Sequence, residues 1–167
     1  SAKGFDILCL SEDADEFALK TIREYDGKEF CDVAGNDLGL ETEEEKKESE
    51  EKAEAEKDVL AFVKDTLGDA VSDVRLSNKL KTHAVCLSAD GDISLEMEKY
   101  FASIPGEQSN IKAKRVLEIN ADHPAYAALK KAYAEDKEKA KDMAVIMYDE
   151  AALIAGMPVD DIVGFAD

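Results

Sequence analysis

Cysteine, histidine and positive charge are all scarce in this chain. Its 167 residues hold three cysteines, two histidines, and 21 Lys and Arg against 39 Asp and Glu, a net charge of −18. Cys9, Cys31 and Cys86 lie far apart in apolar, strand-like stretches without C-x-x-C spacing. That pattern excludes a disulfide scaffold and predicts reduced, buried thiols in a cytoplasmic protein. His83 and His123 are also far apart, so neither a zinc set nor a Cys-His nucleophile pair is supported. The negative field repels nucleic acid and anionic membrane surfaces. No apolar run approaches a membrane span, and "SAKGFDILCLSED" lacks the basic leader, apolar stretch and cleavage site of a secretory signal. Where a phosphate cradle needs glycines, the sequence reads "SEDADEF", with acids in their place. "DGDISLEME" offers the alternating oxygens of a calcium loop, but Leu95 stands where the sharp turn needs Gly. The expectation is a chain with no catalytic, cofactor or metal residues.

What is present reads as globular and α+β. The length suits one domain plus part of another. "FDILCL" fits a buried strand, and "DADEFALKTIREY" follows as a helix with Phe17, Leu19, Ile22 and Tyr25 at helical spacing and a capping box of Asp13 and Glu16. "DG" ends that helix and "KEFCDVA" supplies a second strand, so residues 5–34 form a β-α-β unit. About forty residues cannot bury both faces of a parallel pair, so the unit is the tail of a larger α/β domain. "GNDLGL" marks a boundary, dividing the chain into 1–40 and 41–167. "ETEEEKKESEEKAEAEKD" is a solvated helix supported by Glu43 with Lys47 and Glu48 with Lys52. It continues as one long helix into an apolar face of Val59, Phe62 or Val63, and Leu67, with Gly68 just past its end.

"AVSDVRLS", "HAVCLSA" and "KRVLEI" are strand candidates. Between the last two, Ile93, Met97, Tyr100, Phe101 and Ile104 form one helical stripe, which periodicity alone turns toward its own sheet. "VLEINADHP" is a corner: Asp122 caps the next helix, His123 is its early residue, and Pro124 is tolerated in the first turn. Asp136 is a further cap between "PAYAALKKAYA" and the last long helix.

That last helix, "MAVIMYDEAALIAG", is apolar on nearly every side. Met143, Ile146, Met147 and Ile154 make one face, joined by Ala151, while Val145, Tyr148 and Ala152 make a second. Past Gly156, a new apolar pattern of Val159, Ile162, Val163 and Phe165 begins. Both ends of the chain read as cut from a longer protein. A helical pair that packs against its own copy hides these faces, because a twofold interface closes one sticky patch on itself. The expected interface is Met143, Ile146, Met147, Ala151, Ile154, Ile162 and Phe165. An intramolecular core helix in a monomeric, acidic interaction module, binding partners through the 93–104 stripe, is the alternative. A small α/β enzyme would need a cleft of convergent polar groups.

Taken together, "DEFALKTIREYDGKEF", "ETEEEKK", "VRLSNKL", "MEKYF", "VLEINADHP" and "YDEAALIAGMPVDD" resemble the ninety-kilodalton heat-shock chaperone family in its bacterial form. The resemblance runs along nearly the whole chain. It implies that residues 1–40 end a middle domain and that 41–167 form a C-terminal domain, a small mixed sheet with helices and a dimerising four-helix bundle. ATP and Mg then belong to other parts of a longer, cytoplasmic ATPase, with no cofactor here. It also implies that Ile93, Met97, Tyr100, Phe101 and Ile104 contact unfolded client proteins. Two departures stand out: Ala121 occupies a position where members usually have proline, and the last bundle helix normally runs past Asp167.

Overall fold

Residues 7–12, 15–31, 51–77, 79–105 and 111–159 are described in the computed structural model. Near the N-terminus, helix α1 (Asp15–Ile22) leads into two short strands, β1 (Glu24–Tyr25) and β2 (Lys28–Glu29). They pair antiparallel across Asp26 and Gly27, whose φ angles of 51° and 71° are both positive, as the first-choice hairpin turn requires. The expected β-α-β unit is therefore corrected. An Asp-Gly pair closes a hairpin at once, and the apolar run at 7–10 has no partner strand among the described residues. Ile7 and Leu8 are accordingly 63% exposed. The same lack of cover exposes Cys9 and Cys31, so of the three thiols expected to be buried, Cys86 alone is partly so. Asp13, residues 32–50 with the proposed boundary, and the Glu43 and Glu48 pairs lie outside the described residues.

The acidic helix does not run straight through. Residues 51–55 are helical, Glu56 is a turn, and α2 spans Lys57–Leu67. The hydrogen-bond ladder nevertheless continues, from Glu56 N–H to the Lys52 carbonyl at 3.1 Å and from Leu60 N–H to the Glu56 carbonyl at 3.0 Å. The Glu56 carboxylate is drawn aside by the Tyr126 hydroxyl at 3.2 Å and Lys130 Nζ at 2.6 Å. Gly68 ends α2 at φ 54°, a positive φ that favours glycine.

Three strands follow: β3 (Asp73–Leu76), β4 (Val85–Asp90) and β5 (Lys114–Ile119). β5 lies in the middle, parallel to β3 through Val74 opposite Leu117 and antiparallel to β4 through Leu87 opposite Leu117. Alternation then sorts the side chains. Val74, Val85, Leu87, Leu117 and Ile119 share the core with Val59, Leu60 and Val63 of α2. Arg75, Cys86, Ser88, Val116 and Glu118 take the opposite face. Helix α3 (Leu95–Ser103) separates β4 from β5 and is capped by Ser94 Oγ, which accepts from Met97 N–H at 3.0 Å.

At the corner after β5, the cap falls one residue later than expected. His123 rather than Asp122 caps α4 (Pro124–Glu135), its Nδ1 accepting from Ala125 N–H at 3.2 Å, with Pro124 in the first turn. Asp122 instead donates its N–H to Asn120 Oδ1 at 3.1 Å. Asn120, buried, also donates Nδ2–H to the His83 carbonyl at 3.1 Å and its own N–H to the Ala84 carbonyl at 2.8 Å. Asp136 caps α5 (Lys137–Ile154) as expected, accepting from Lys139 N–H at 3.2 Å. Gly156, at φ 68°, closes α5: Gly156 N–H reaches the Leu153 carbonyl at 3.0 Å and Met157 N–H the Ala152 carbonyl at 2.8 Å. Met157 is buried beneath that turn, the usual apolar companion of such an ending.

His123→Ala removes one cap bond and is expected to lower the unfolding free energy by about 1 kcal/mol. Asn120→Ala strips partners from the His83 carbonyl and the Asp122 N–H and is expected to cost more, about 2 to 3 kcal/mol. Urea denaturation of both variants checks the order, and the reverse order would show that the corner is not held through Asn120.

Candidate functional site

Small residues decide which side of α5 is hidden. Ala140, Ala144, Met147, Tyr148, Ala151 and Ala152 are buried on one arc of about 140° when the helix turns by about 100° per residue, and Asp149 is buried outside that arc, between Val145 and Leu153. Four alanines let the helix lie close against α2, β4 and α4, which it contacts. Met147 and Ala151, expected at an interface with a partner, are therefore taken up by the chain's own core at 4% and 0% exposure. The complementary arc carries large aliphatic side chains: Val145, Ile146, Leu153 and Ile154 are 43%, 49%, 52% and 50% exposed. Ile146 and Ile154 are among the residues expected at the interface, Val145 was placed on the second apolar face, and Leu153 on neither. Their spacing as two adjacent pairs, eight residues apart, was the available signal. Met143 is partly buried against the core. Ile162 and Phe165 lie outside the described residues.

The stripe on α3 is covered from an unforeseen direction. Met97 is buried, Ile93, Phe101 and Ile104 are partly so, and Tyr100 is 37% exposed. Phe17 of α1 packs edge-on against Tyr100 and Phe101, with ring centroids 5.4 Å and 5.9 Å apart. Around this aromatic trio, Ser94 Oγ donates to Glu16 Oε2 at 2.8 Å, and Lys20 Nζ donates to the Asp92 carbonyl at 2.9 Å and approaches Met97 Sδ at 3.2 Å. Phe17 entered the sequence reading only as a helix-stripe residue. Its partners are more than seventy residues away, a pairing no local pattern reveals.

Beneath α3 lies a partly buried ionic fork. Glu98 is 5% exposed; its Oε1 receives Arg115 Nη2 at 2.6 Å, and its Oε2 receives Arg115 Nε at 3.3 Å and Ala113 N–H at 3.0 Å. Arg115 Nη1 donates onward to the Tyr148 hydroxyl of α5 at 2.8 Å. Burial works against the guanidinium charge, yet the bonds to Glu98 and Tyr148 more than offset it and raise the Arg115 pKa. One further tie joins the two helices: Lys99 Nζ donates to the Ala155 carbonyl at the end of α5, at 3.1 Å. Among the described residues, no group of three or more His, Cys, Asp or Glu is placed to hold a metal ion, and no helix is long and apolar enough to cross a membrane.

The family model described as Hsp90 protein matches residues 1–167. The chain is similar to a "Chaperone protein HtpG" of Clostridium acetobutylicum, 45% identical over 165 residues, and to one of Bacillus subtilis, 44% identical over 165 residues. A third such protein, from Shouchella clausii, is 46% identical over 164 residues. The matches cover 98% to 99% of this chain but 26% of each relative, so the chain spans about a quarter of their length.

On the far face of the sheet, Glu118 is buried and accepts from Ser77 Oγ and Ser88 Oγ, both at 2.8 Å. Cys86 sits opposite Glu118 across the β4–β5 ladder. Burial first, and the Glu118 charge second, push its thiol up to about 11. The thiol therefore stays protonated in the folded chain while an unfolded one ionises at lower pH. Stability from this residue is complete below the unfolded pKa and falls as pH rises toward about 11. At pH 8, iodoacetamide is expected to alkylate exposed Cys9 and Cys31 and to spare Cys86 until urea is added, as read by mass spectrometry. Equal labelling of all three in the folded protein would show that Cys86 is not shielded.

Proposed function

Because the chain belongs to the Hsp90 protein family, we propose that it is the homodimerisation and client-contact part of an ATP-dependent chaperone that assists protein folding. Residues 1–40 end the middle domain in this reading, and 41–167 form the dimerisation domain. ATP and Mg act elsewhere in the longer cytoplasmic protein. The observation that carries the proposal is the outer arc of α5, four large aliphatic side chains about half open to water on a helix whose other side is already packed.

Covering the open half of such side chains contributes about 0.7 to 1.5 kcal/mol each. Four of them, doubled by twofold symmetry, supply about 6 to 12 kcal/mol, against an association cost of about 4 to 15 kcal/mol. The two are comparable, so these residues hold a dimer of modest strength, to which Ile162 and Phe165 would add. Tethering two protomers at one end raises the effective concentration of their other ends, so that closure driven elsewhere acts on a client held between them. The client surface is composite: Tyr100 and Phe101 of α3 with Phe17 of α1, and Met97 as an adaptable floor. The partial exposure of Tyr100 also favours a second reading, a monomeric acidic module that binds partners through the same aromatic group.

Sedimentation equilibrium separates the two. A concentration-dependent dimer is expected, abolished by Ile146→Asp with Ile154→Asp while circular dichroism stays unchanged; a wild-type monomer at high micromolar concentration would sink the dimer. For the client surface, Tyr100→Ala with Phe101→Ala is expected to raise about tenfold the concentration that half-suppresses the thermal aggregation of citrate synthase. Unchanged suppression would remove these rings from the contact.

A further inference from the structure

The two surfaces lie on opposite sides of one polar connection. Along α5, Tyr148 and Ala155 are both tied to α3, the first through Arg115 and Glu98, the second directly by Lys99. The same two turns of α5 carry Leu153 and Ile154 on their outer arc, with Val145 and Ile146 just before them. A partner that covers the outer arc thus grips the stretch of helix on which α3 is moored.

The kind of contact matters. Apolar packing between helices tolerates small slides, because dispersion attraction has little direction. A guanidinium forked on a buried carboxylate does not, since a shift of either partner leaves the carboxylate, 5% exposed, short of the hydrogen bonds that hold its charge. Glu98 is further fixed by Ala113 N–H, so the carboxylate cannot follow the guanidinium if that moves. Stiffness at Tyr148 is passed to Glu98, and Glu98 stands one residue from Met97 and two from Tyr100 on the stripe.

We infer that the Glu98–Arg115–Tyr148 chain, with the Lys99 tie, is a coupling element: covering the outer face of α5 orders α3 and so favours binding at its aromatic surface. By reciprocity, binding at α3 tightens association through α5 to the same degree. This rests on the dimer and client reading above, and its test has one arm that does not.

In that arm, hydrogen exchange is followed in the full chain at a concentration below any association. Tyr148→Phe, which removes one hydroxyl from α5, is expected to speed exchange of the 95–103 amides about fivefold while those of 124–135 keep their rate. Unchanged exchange at 95–103 overturns the coupling, and uniform acceleration of both segments overturns it too, as general destabilisation. In the second arm, wild-type exchange is compared across the association range found by sedimentation. Protection at 95–103 is expected to rise about fivefold with dimer formation, the low end of ordinary coupling, and to stay flat in Tyr148→Phe. A wild type that dimerises with no change at 95–103 overturns the inference yet leaves the dimer standing. A wild type that never dimerises removes the functional reading, and the first arm still decides the coupling. Arg115→Met is the less useful variant, because it strands Glu98 in the interior and threatens folding.

Discussion

β5 is hydrogen-bonded along both edges and buried on both faces, and each structural feature of the C-terminal region is fastened to it. Its backbone ladders fix β3 and β4 in register. Its core-facing Leu117 and Ile119 meet the helices, while Glu118 on the other face gathers Ser77 and Ser88. At its start Arg115 reaches α3 and α5, and just past its end Asn120 sets the corner from which α4 departs. A one-residue slip of β5 would turn Glu118 into the apolar core and Leu117 out of it, a cost that no alternative register could recover.

Much of this was legible because it was local. "KRVLEI" coincides with β5, the Asp136 cap and the ends at Gly68 and Gly156 fall where turn chemistry places them, and the stripe from Ile93 to Ile104 is helical at its centre. The corner at His123 was recognised, but its cap was assigned one residue early, since Asp122 is the stronger capping type and only Asn120's claim on the Asp122 N–H turns it away. The N-terminal segment was misread for a different reason. An apolar run such as 7–10 signals burial without saying against what, and the Asp-Gly turn that follows α1 serves a hairpin as readily as a helix end. Arg115 was invisible: a basic residue next to Lys114 at the head of a strand reads as surface until Glu98 and Tyr148 are brought to it by the fold.

The α5 helix shows how a nearly all-apolar segment still chooses a side. Its hydrophobicity is uniform enough that helical plotting gives two competing faces. Side-chain size breaks the tie, because alanines permit the close approach that burial against β4 and α4 requires, and the branched residues are left on the outer arc. Met147 goes inward with them as an unbranched filler of an irregular gap. The face on which the functional reading depends is thus a consequence of packing inside the protomer, rather than of hydrophobic pattern alone.

The acidic balance completes this logic. A chain that leaves branched aliphatics open on α5 and aromatic rings open on α3 carries two patches that would promote indiscriminate association in a neutral protein. A net charge of −18 spread over the rest of the surface opposes every encounter that does not bury enough apolar area to offset it. Beyond about 10 Å that repulsion is screened at ordinary ionic strength, so it discourages loose collisions more than close, well-packed contacts. Charge and exposed apolar surface therefore act together as a filter, in which a complementary face of sufficient area is admitted and a casual one is turned away.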